Sequence, residues 1–476
     1  MIAFFALVAV WDDMHNIATG DSFRSRAIAA RALSQPPLLH QLLSYSTEVE
    51  GYRMSNSSHI NRQRLLERFL RYVQVETTAN PDSEEYPSSP GQWTLGKILY
   101  EELRAMGLEE VEHDAHGLVW ATLPSTAGDG ASNTLPTILF NAHVDTSPDA
   151  SGANVRPAVL ERYPGGDIPL EKNGKVIDVA SCPALNQLIG HTLITTDGTT
   201  LLGGDDKAGV AAIMELAEHL LEHPNLPHGP VRILFTCDEE IGRGALHMDL
   251  AKAGAAAGYT LDGGGQAEVE NENFSADQMT VRAYGNNIHP SIGKGRMVNA
   301  LRGLSKLIAA LPTEALTPES TEGRDGFIHP YSLSGAVDYA EAKFLLRDFV
   351  TERLDDQALL LQATADSLVQ ETPGLRFELV RQRQYRNMAD AQRSAPHVVD
   401  FSIAAYKNLG LTPHLGAIRG GTDGAVFSEM GLPTPNLSVG QHNIHSVLEF
   451  ASLDQMVLAI QHAIEVLNIW QQQGRS

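Results

Sequence analysis

The chain has 476 residues, more than one hydrophobic core usually supports, and 43% of them are apolar, enough to fill two cores. Its 35 Lys and Arg stand against 58 Asp and Glu, a formal net charge of -23, which argues against nucleic acid or an anionic membrane as partner. Cys182 and Cys237 build no disulfide framework and form no C-x-x-C pair, and no apolar run reaches membrane-spanning length, so a soluble, cytoplasmic protein is expected.

Met1 to Val10 is apolar, but it lacks a basic leader and runs into Asp12 and Asp13 where a small-residue cleavage site would be needed. Arg24, Arg26 and Arg31 faintly suggest a transit peptide; the plainer reading starts the folded unit after Met54 and leaves residues 1–60 as a disordered or mis-called extension. From Arg64 the spacing of Leu65, Leu66, Phe69, Leu70 and Val73 predicts a helix. A polar loop, Ala79 to Pro90, precedes a second helix over Gln92 to Met106, closed by Gly107. Leu118 to Leu123 and Pro136 to Asn141 read as strands, the second leading into His143-Val144-Asp145. Two apart on an extended backbone, His143 and Asp145 share a side, and a histidine ligand needs a group such as a carboxylate to fix its ring. Alone, the pair fits a structural histidine beside the Pro148-Asp149 turn equally well.

Ser151 to Gly190 is rich in Gly and Pro and reads as an irregular insertion. Leu201 to Gly209 then opens an amphipathic helix with Val210, Ile213, Met214, Ala217, Leu220 and Leu221 on one face. Asp205 and Asp206 at its start would suit free helix amides, while the preceding glycines let a carboxylate approach, or bridge, cations. The strand Val231 to Phe235 ends in Asp238-Glu239-Glu240. Adjacent glutamates can divide labour, one ligating a metal and its neighbour handling a proton, although a lone acidic triplet is more often a solvated turn. Gly258 to Leu261 delivers Asp262 in the same way. Repeated apolar runs ending in acid or histidine mark the rim where open α/β sheets place their sites. His143, Asp205, Glu240 and Asp262 offer oxygen and imidazole donors without thiolate, a set suited to zinc, manganese or cobalt.

Beyond Phe274 the texture changes. Strands at Gln278 to Tyr284, Tyr331 to Val337, Ala342 to Phe349 and Leu375 to Val380, with helices at Met297 to Ala310 and Leu354 to Val369, give a βαββαβ order. Residues 274–386 therefore read as an α+β domain inserted into an α/β domain made of residues 61–273 and 387–476. The latter resumes with a helix at Val398 to Leu409, the loop Ile418 to Gly424, a strand at Pro435 to Val439, and His445. Ser452 and Gln455 form a capping box for a last helix from Leu453 to about Trp470.

HVDTSPD, GGDDKAG, TCDEEIGRGA, YTLDGGG, NNIHP, IRGGTDGA and the late His445 together resemble the dimetal aminoacylase and carboxypeptidase superfamily, in the wording of its tripeptide-cleaving aminopeptidases. The likeness runs in order from about Leu65 to the C-terminus. It implies a mixed-sheet dimetal exopeptidase domain with an inserted lid that also forms a homodimer. It further implies two divalent metal ions, zinc first, with cobalt or manganese as substitutes. His143 and Asp262 would hold one metal, Glu240 and His445 the other, and Asp205 would bridge them; Glu239 would be the general base and Asp145 would orient His143. The chemistry agrees, because two cations roughly 3.5–4 Å apart can hold a hydroxide and polarise a carbonyl, while a nearby carboxylate shuttles the proton.

His289, Arg347 and Arg419 match positions that read the ends of the substrate, and an arginine fork suits a terminal carboxylate. Arg347 would otherwise pair with Asp348 or Asp338. Ser291 replaces the family's glycine after His-Pro. The expected activity is release of the N-terminal residue from tripeptides, with a short peptide as partner. The rivals are another hydrolase of the superfamily (an N-acyl-amino-acid deacylase, dipeptidase or carboxypeptidase) and a catalytically silent metal-dependent binding protein, against which the presence of Glu239 speaks. A two-metal phosphoesterase would want more basic groups than Lys207.

Overall fold

In a computed structural model, residues 60–126 and 135–474 are described; apart from Ile60, the expected extension over residues 1–60 lies outside them. The first helix, Arg62–Val73, is capped by the Asn61 side chain, which accepts the Arg64 N–H at 3.1 Å, and it buries Leu65, Phe69, Tyr72 and Val73. The next, Pro90–Met106, begins two residues earlier than expected because Pro90 supplies a ready-made first turn, and it ends on Gly107 with φ 87°.

The main sheet is mixed, with eleven strands among the described residues. Its centre is four adjacent parallel strands, Val231–Thr236, Ile138–His143, Ala257–Gly264 and Asn436–His442. Parallel neighbours end on the same side, so the residues that follow these strands gather at one rim. Val119–Leu123 joins antiparallel at one flank, and Phe450–Ser452, Leu193–Thr195 and Ala158–Leu160 extend the other. Ala158–Leu160 and two short pieces, Ile168–Pro169 and Val176–Ile177, give some order to the stretch expected to be irregular, over a small core of Tyr163, Ile168, Leu170 and Leu185. The helices Gly204–Glu222 and Leu453–Gln473 pack on the sheet and share its largest core. Ser452 accepts the Gln455 N–H, but the Gln455 side chain pairs with His442 Nε2 at 2.8 Å, so only half of the expected capping box forms.

Two strands, Glu268–Asn273 and His414–Ile418, escaped the sequence reading, the first because it is too polar for a period-two signal and the second because it is short and interrupted by Gly416; they pair parallel with each other. Ser275–Tyr284, Phe327–Gly335, Tyr339–Asp348 and Arg376–Tyr385 form a separate antiparallel sheet of four strands. With the helices Ala300–Ala309 and Arg353–Glu371 they follow the βαββαβ order and enclose their own core, including Val281, Leu304, Phe344 and Leu361. The chain enters this unit through Phe274 and leaves through Arg386 and Asn387. Asn273 ties the two crossings together, donating to Arg386 O at 3.4 Å and accepting the Met388 N–H at 2.7 Å. Among the described residues no helix is long and apolar enough to cross a membrane, and both cysteines are free and buried.

Candidate metal centre

His143 closes its strand level with Thr236 on the neighbouring one, and the chain beyond Thr236 turns at Asp238, whose φ of 61° lies in the left-handed region. Asp238 is held there by the Ser88 N–H at 2.8 Å and the Gln92 amide at 2.6 Å. A single turn, Glu239–Ile241, then presents both glutamates at the rim. Asp145 accepts the N–H groups of Glu239 and Glu240, each at 3.1 Å, while one of its carboxylate oxygens stands 3.4 Å from His143 Nδ1. It therefore holds the turn as well as the imidazole. Asp205 and Asp206 open the helix Gly204–Glu222 with non-helical angles; Asp206 caps it, accepting the Gly209 N–H at 3.1 Å, whereas Asp205 is aimed into the site.

His143 Nε2 lies 3.1 Å from Asp205 Oδ1 and 3.7 Å from Asp262 Oδ1. His445 Nε2 lies 3.2 Å from Asp205 Oδ2 and 2.9 Å from Glu240 Oε2. The two oxygens of Asp205 thus face two different histidines, one in each of two donor clusters. His445 reaches its place from a loop with left-handed φ of 59°. Glu239 stands beside the clusters, with its nearest oxygen 4.0 Å from His143 Nε2.

The electrostatics ask for cations. Burial, then the charge of Asp205, raises Glu240 to about 8 and Asp262 to about 6, and burial lifts Glu239 well above the usual carboxylate range. Burial pulls the other way on the histidines, but Asp145, Asp205 and Asp262 lift His143 well above its ordinary value, and Asp205 and Glu240 lift His445 to about 11. Protonated imidazoles thus supply the positive charge that the carboxylates lack. Glu240 Oε1 is buried without a hydrogen-bond partner among the described residues, as a metal-ligand oxygen would be. One donor atom each from His143, Asp205 and Glu240 lie within 4.8 Å of one another. A second such grouping is His143, Asp206 and Asp262, but Asp206 is already engaged by the His143 N–H at 3.2 Å and the Gly209 N–H at 3.1 Å. The donor set fits two divalent cations.

The expected substrate-binding residues are not joined to these clusters by any hydrogen bond or ion pair among the described residues. His289 is exposed, and its Nδ1 accepts the Ser291 N–H at 3.3 Å and lies 2.7 Å from the Ser291 hydroxyl, so the serine that departs from the family's glycine grips this ring. Arg347 pairs with neither Asp348 nor Asp338. Its guanidinium donates to Gln384 Oε1 at 2.8 Å and lies 5.2 Å from the Tyr385 ring centroid. Arg419 spends its fork on the 321–325 loop, donating to Gly323 O, Asp325 O and the Thr321 hydroxyl, with the rings of Phe274 and Phe327 beside it.

Sequence reasoning missed several residues. Asp149, already inside the HVDTSPD motif, sits 3.2 Å from His445 Nδ1. Asp423, inside IRGGTDGA, accepts the Thr236 hydroxyl behind the Glu239 turn, and burial raises it to about 7. Tyr385 had no motif to announce it. It packs so closely on Gly421 that a Cβ there would stand 2.7 Å from its ring.

The sequence profile of peptidase family M20/M25/M40 matches residues 191–468. Peptidase T of Geobacillus kaustophilus is 43% identical over 414 residues, 87% of this chain and 100% of that protein. Peptidase T of Salmonella enteritidis is 42% identical over the same shares. Among solved structures, aminopeptidase PepT of Bacillus cereus superposes with a TM-score of 0.65 at 25% identity, covering 86% of this chain and 99% of that one. A dinuclear metal-binding peptidase of the M20 family from Bacillus subtilis shares the fold, with a TM-score of 0.58 at 14% identity, over 86% of this chain and 98% of that one.

Proposed function

The chain belongs to peptidase family M20/M25/M40, and from that premise we propose that it is a metal-dependent aminopeptidase that releases the N-terminal residue of tripeptides. His143 and Asp262 would hold one divalent cation, Glu240 and His445 the other, with Asp205 shared between them. We take zinc as the native metal, with cobalt or manganese able to replace it, since the donors are imidazole and carboxylate. When bound, the pair would lower the pKa of the attacking water and polarise the scissile carbonyl. The observation that carries the reading is Asp205, whose two oxygens lie 3.1 and 3.2 Å from the two histidines.

Glu239 takes the water's proton and returns it to the departing amine, standing beside the clusters with its nearest oxygen 4.0 Å from His143 Nε2. Asp145 fixes the His143 ring and the Glu239 backbone at once, so base and ligand keep their relative positions. At the other end of the peptide, Arg347 receives the terminal carboxylate, for no carboxylate of the described chain neutralises it. His289 orients the substrate, and Arg419 holds the loop beneath it. Length selectivity follows from the two fixed ends, because a longer peptide loses the clamp. We also assign a cytoplasmic setting, in keeping with two free, buried cysteines, and a homodimer through the 275–385 unit, whose edge strand leaves Tyr331 and Leu333 exposed.

The test is hydrolysis, with added metal, of a free tripeptide, its N-acetylated form and the matching di- and tetrapeptide. The free tripeptide alone is expected to be cut, and Glu239→Gln to lower kcat by about 10²–10⁴-fold with KM little changed. Preference for the acetylated peptide would make the protein a deacylase of the same family. No turnover by the metal-loaded protein would make it a binding protein.

A further inference from the structure

Glu449 lies four residues beyond His445 and is 1% exposed, and its carboxylate is engaged by backbone N–H groups. Its Oε2 accepts the N–H groups of Leu202 at 2.7 Å and Gly203 at 2.8 Å, and its Oε1 accepts that of Asp205 at 3.0 Å. We propose that Glu449 is a positioning residue for the bridging carboxylate, clamping the Asp205 loop to the His445 loop so that both cation sites keep their spacing. The proposal rests on the dimetal reading above.

The local chain is shaped for this contact. Gly203 takes a left-handed φ of 80°, which turns successive amides toward one point. Gly204 lies so near that a Cβ there would stand 3.2 Å from Glu449 Oε1. On the other side, the loop that carries Glu449 is knit by Glu449 N–H to Ser446 O at 3.1 Å and by Asn443 to Leu448 O at 3.3 Å. It runs straight into Phe450–Ser452, which pairs with Leu193–Thr195. Lys207, also 1% exposed, donates from Nζ to Val75 O at 2.8 Å and stands beside Gly203. A single side chain therefore connects the strand-end loop that supplies one ligand to the helix start that supplies the shared one. A group that only filled space would not need all three amides.

Chelator-stripped wild type, Glu449→Gln and Glu215→Gln are titrated with Co2+ and followed by visible absorption and bound-metal analysis, with kcat and KM for a free tripeptide. Glu215 is a buried carboxylate held by Arg64 and Arg68, ten residues along the same helix or about 15 Å from Asp205, and it reports the effect of losing a structural acid. Wild type is expected to take two equivalents. Glu449→Gln, whose amide points N–H groups at N–H groups, is expected to weaken at least one equivalent by about 10–100-fold and to change its absorption, lowering kcat more than it raises KM. Glu215→Gln is expected to melt earlier with Co2+ binding unchanged. Two equivalents at wild-type affinity and wild-type kcat in Glu449→Gln would overturn the proposal. Should that variant not fold, Glu449→Asp replaces it: intermediate affinity supports the role, and wild-type affinity overturns it. A wild type that binds fewer than two equivalents defeats the dimetal reading itself.

Discussion

The rim of the main sheet and the four-stranded unit over residues 275–385 hold their candidate residues in opposite ways. At the rim, His143, Asp205, Glu240 and Asp262 are largely buried and each has a donor atom 2.9 to 3.7 Å from that of a neighbouring site residue, on a backbone pinned by parallel strands or by a neighbouring carboxylate. In the four-stranded unit, His289 is exposed and Arg347 leans on Gln384 and Tyr385, while Arg419, in the main chain's late loop, is spent on backbone carbonyls of that unit. Two cations sharing one carboxylate, as proposed, would demand tight convergence, which a rigid rim provides. Reading a peptide end asks for charge and reach, which a unit joined by two short crossings can supply.

Three experiments probe this contrast. The largest effect is expected from removing metal: chelation should abolish tripeptide hydrolysis and lower the melting temperature, and zinc or cobalt should restore both. Ligands that bind only the folded state, at a thousand times their Kd, contribute about 4 kcal/mol. Unchanged melting and activity under chelation would mean that the rim holds itself together without cations.

Next in size is Arg347→Ala, expected to raise KM for a tripeptide by about 10–100-fold, the worth of a charge-assisted contact, with kcat little changed. Lysine should rescue poorly, since it cannot offer the planar fork. Arg419→Ala should act less on KM and more on the protease sensitivity of the 321–325 loop. Steady-state kinetics with limited proteolysis check both, and the reverse order would exchange the roles of the two arginines.

The smallest effect concerns pH. Burial depresses the His462 imidazole to about 4, from an ordinary value near 6.5. Between those values the unfolded chain binds more protons than the folded one, so the stability this group contributes is present above about pH 6.5 and is lost as pH falls toward 4. The slope from one group is at most about 1.4 kcal/mol per pH unit. The 275–385 unit buries neither of its histidines, His289 and His329, so hydrogen exchange at pH 5 should loosen the main sheet and its helices first. Equal loosening of both units, or an unaltered acid response in His462→Gln, would remove His462 from the account.

Much of the architecture was legible because its signals are local. Apolar strands stopping at His143, Glu239 and Asp262, the alternation of strand and helix after Phe274, and the order of the motifs all follow from neighbours in the chain. The helix beginning at Pro90 and the half-formed box at Ser452 differ from expectation only in details that capping chemistry settles. The strands Glu268–Asn273 and His414–Ile418 were invisible because the first is polar and the second short and broken by Gly416; they become strands by pairing with each other and, for the first, with Asn436–His442.

The sequence by itself determined the donor types, the strand ends that present them, and the glycines that let the backbone approach. Only the tertiary structure decided that the two oxygens of Asp205 part between His143 and His445, that Asp149 backs His445 across 296 positions, and that Glu449 grips a loop 244 positions earlier. The reason is physical: backbone periodicity is written in the nearest few residues, whereas the geometry of a polar cluster depends on which distant strands become neighbours in the sheet.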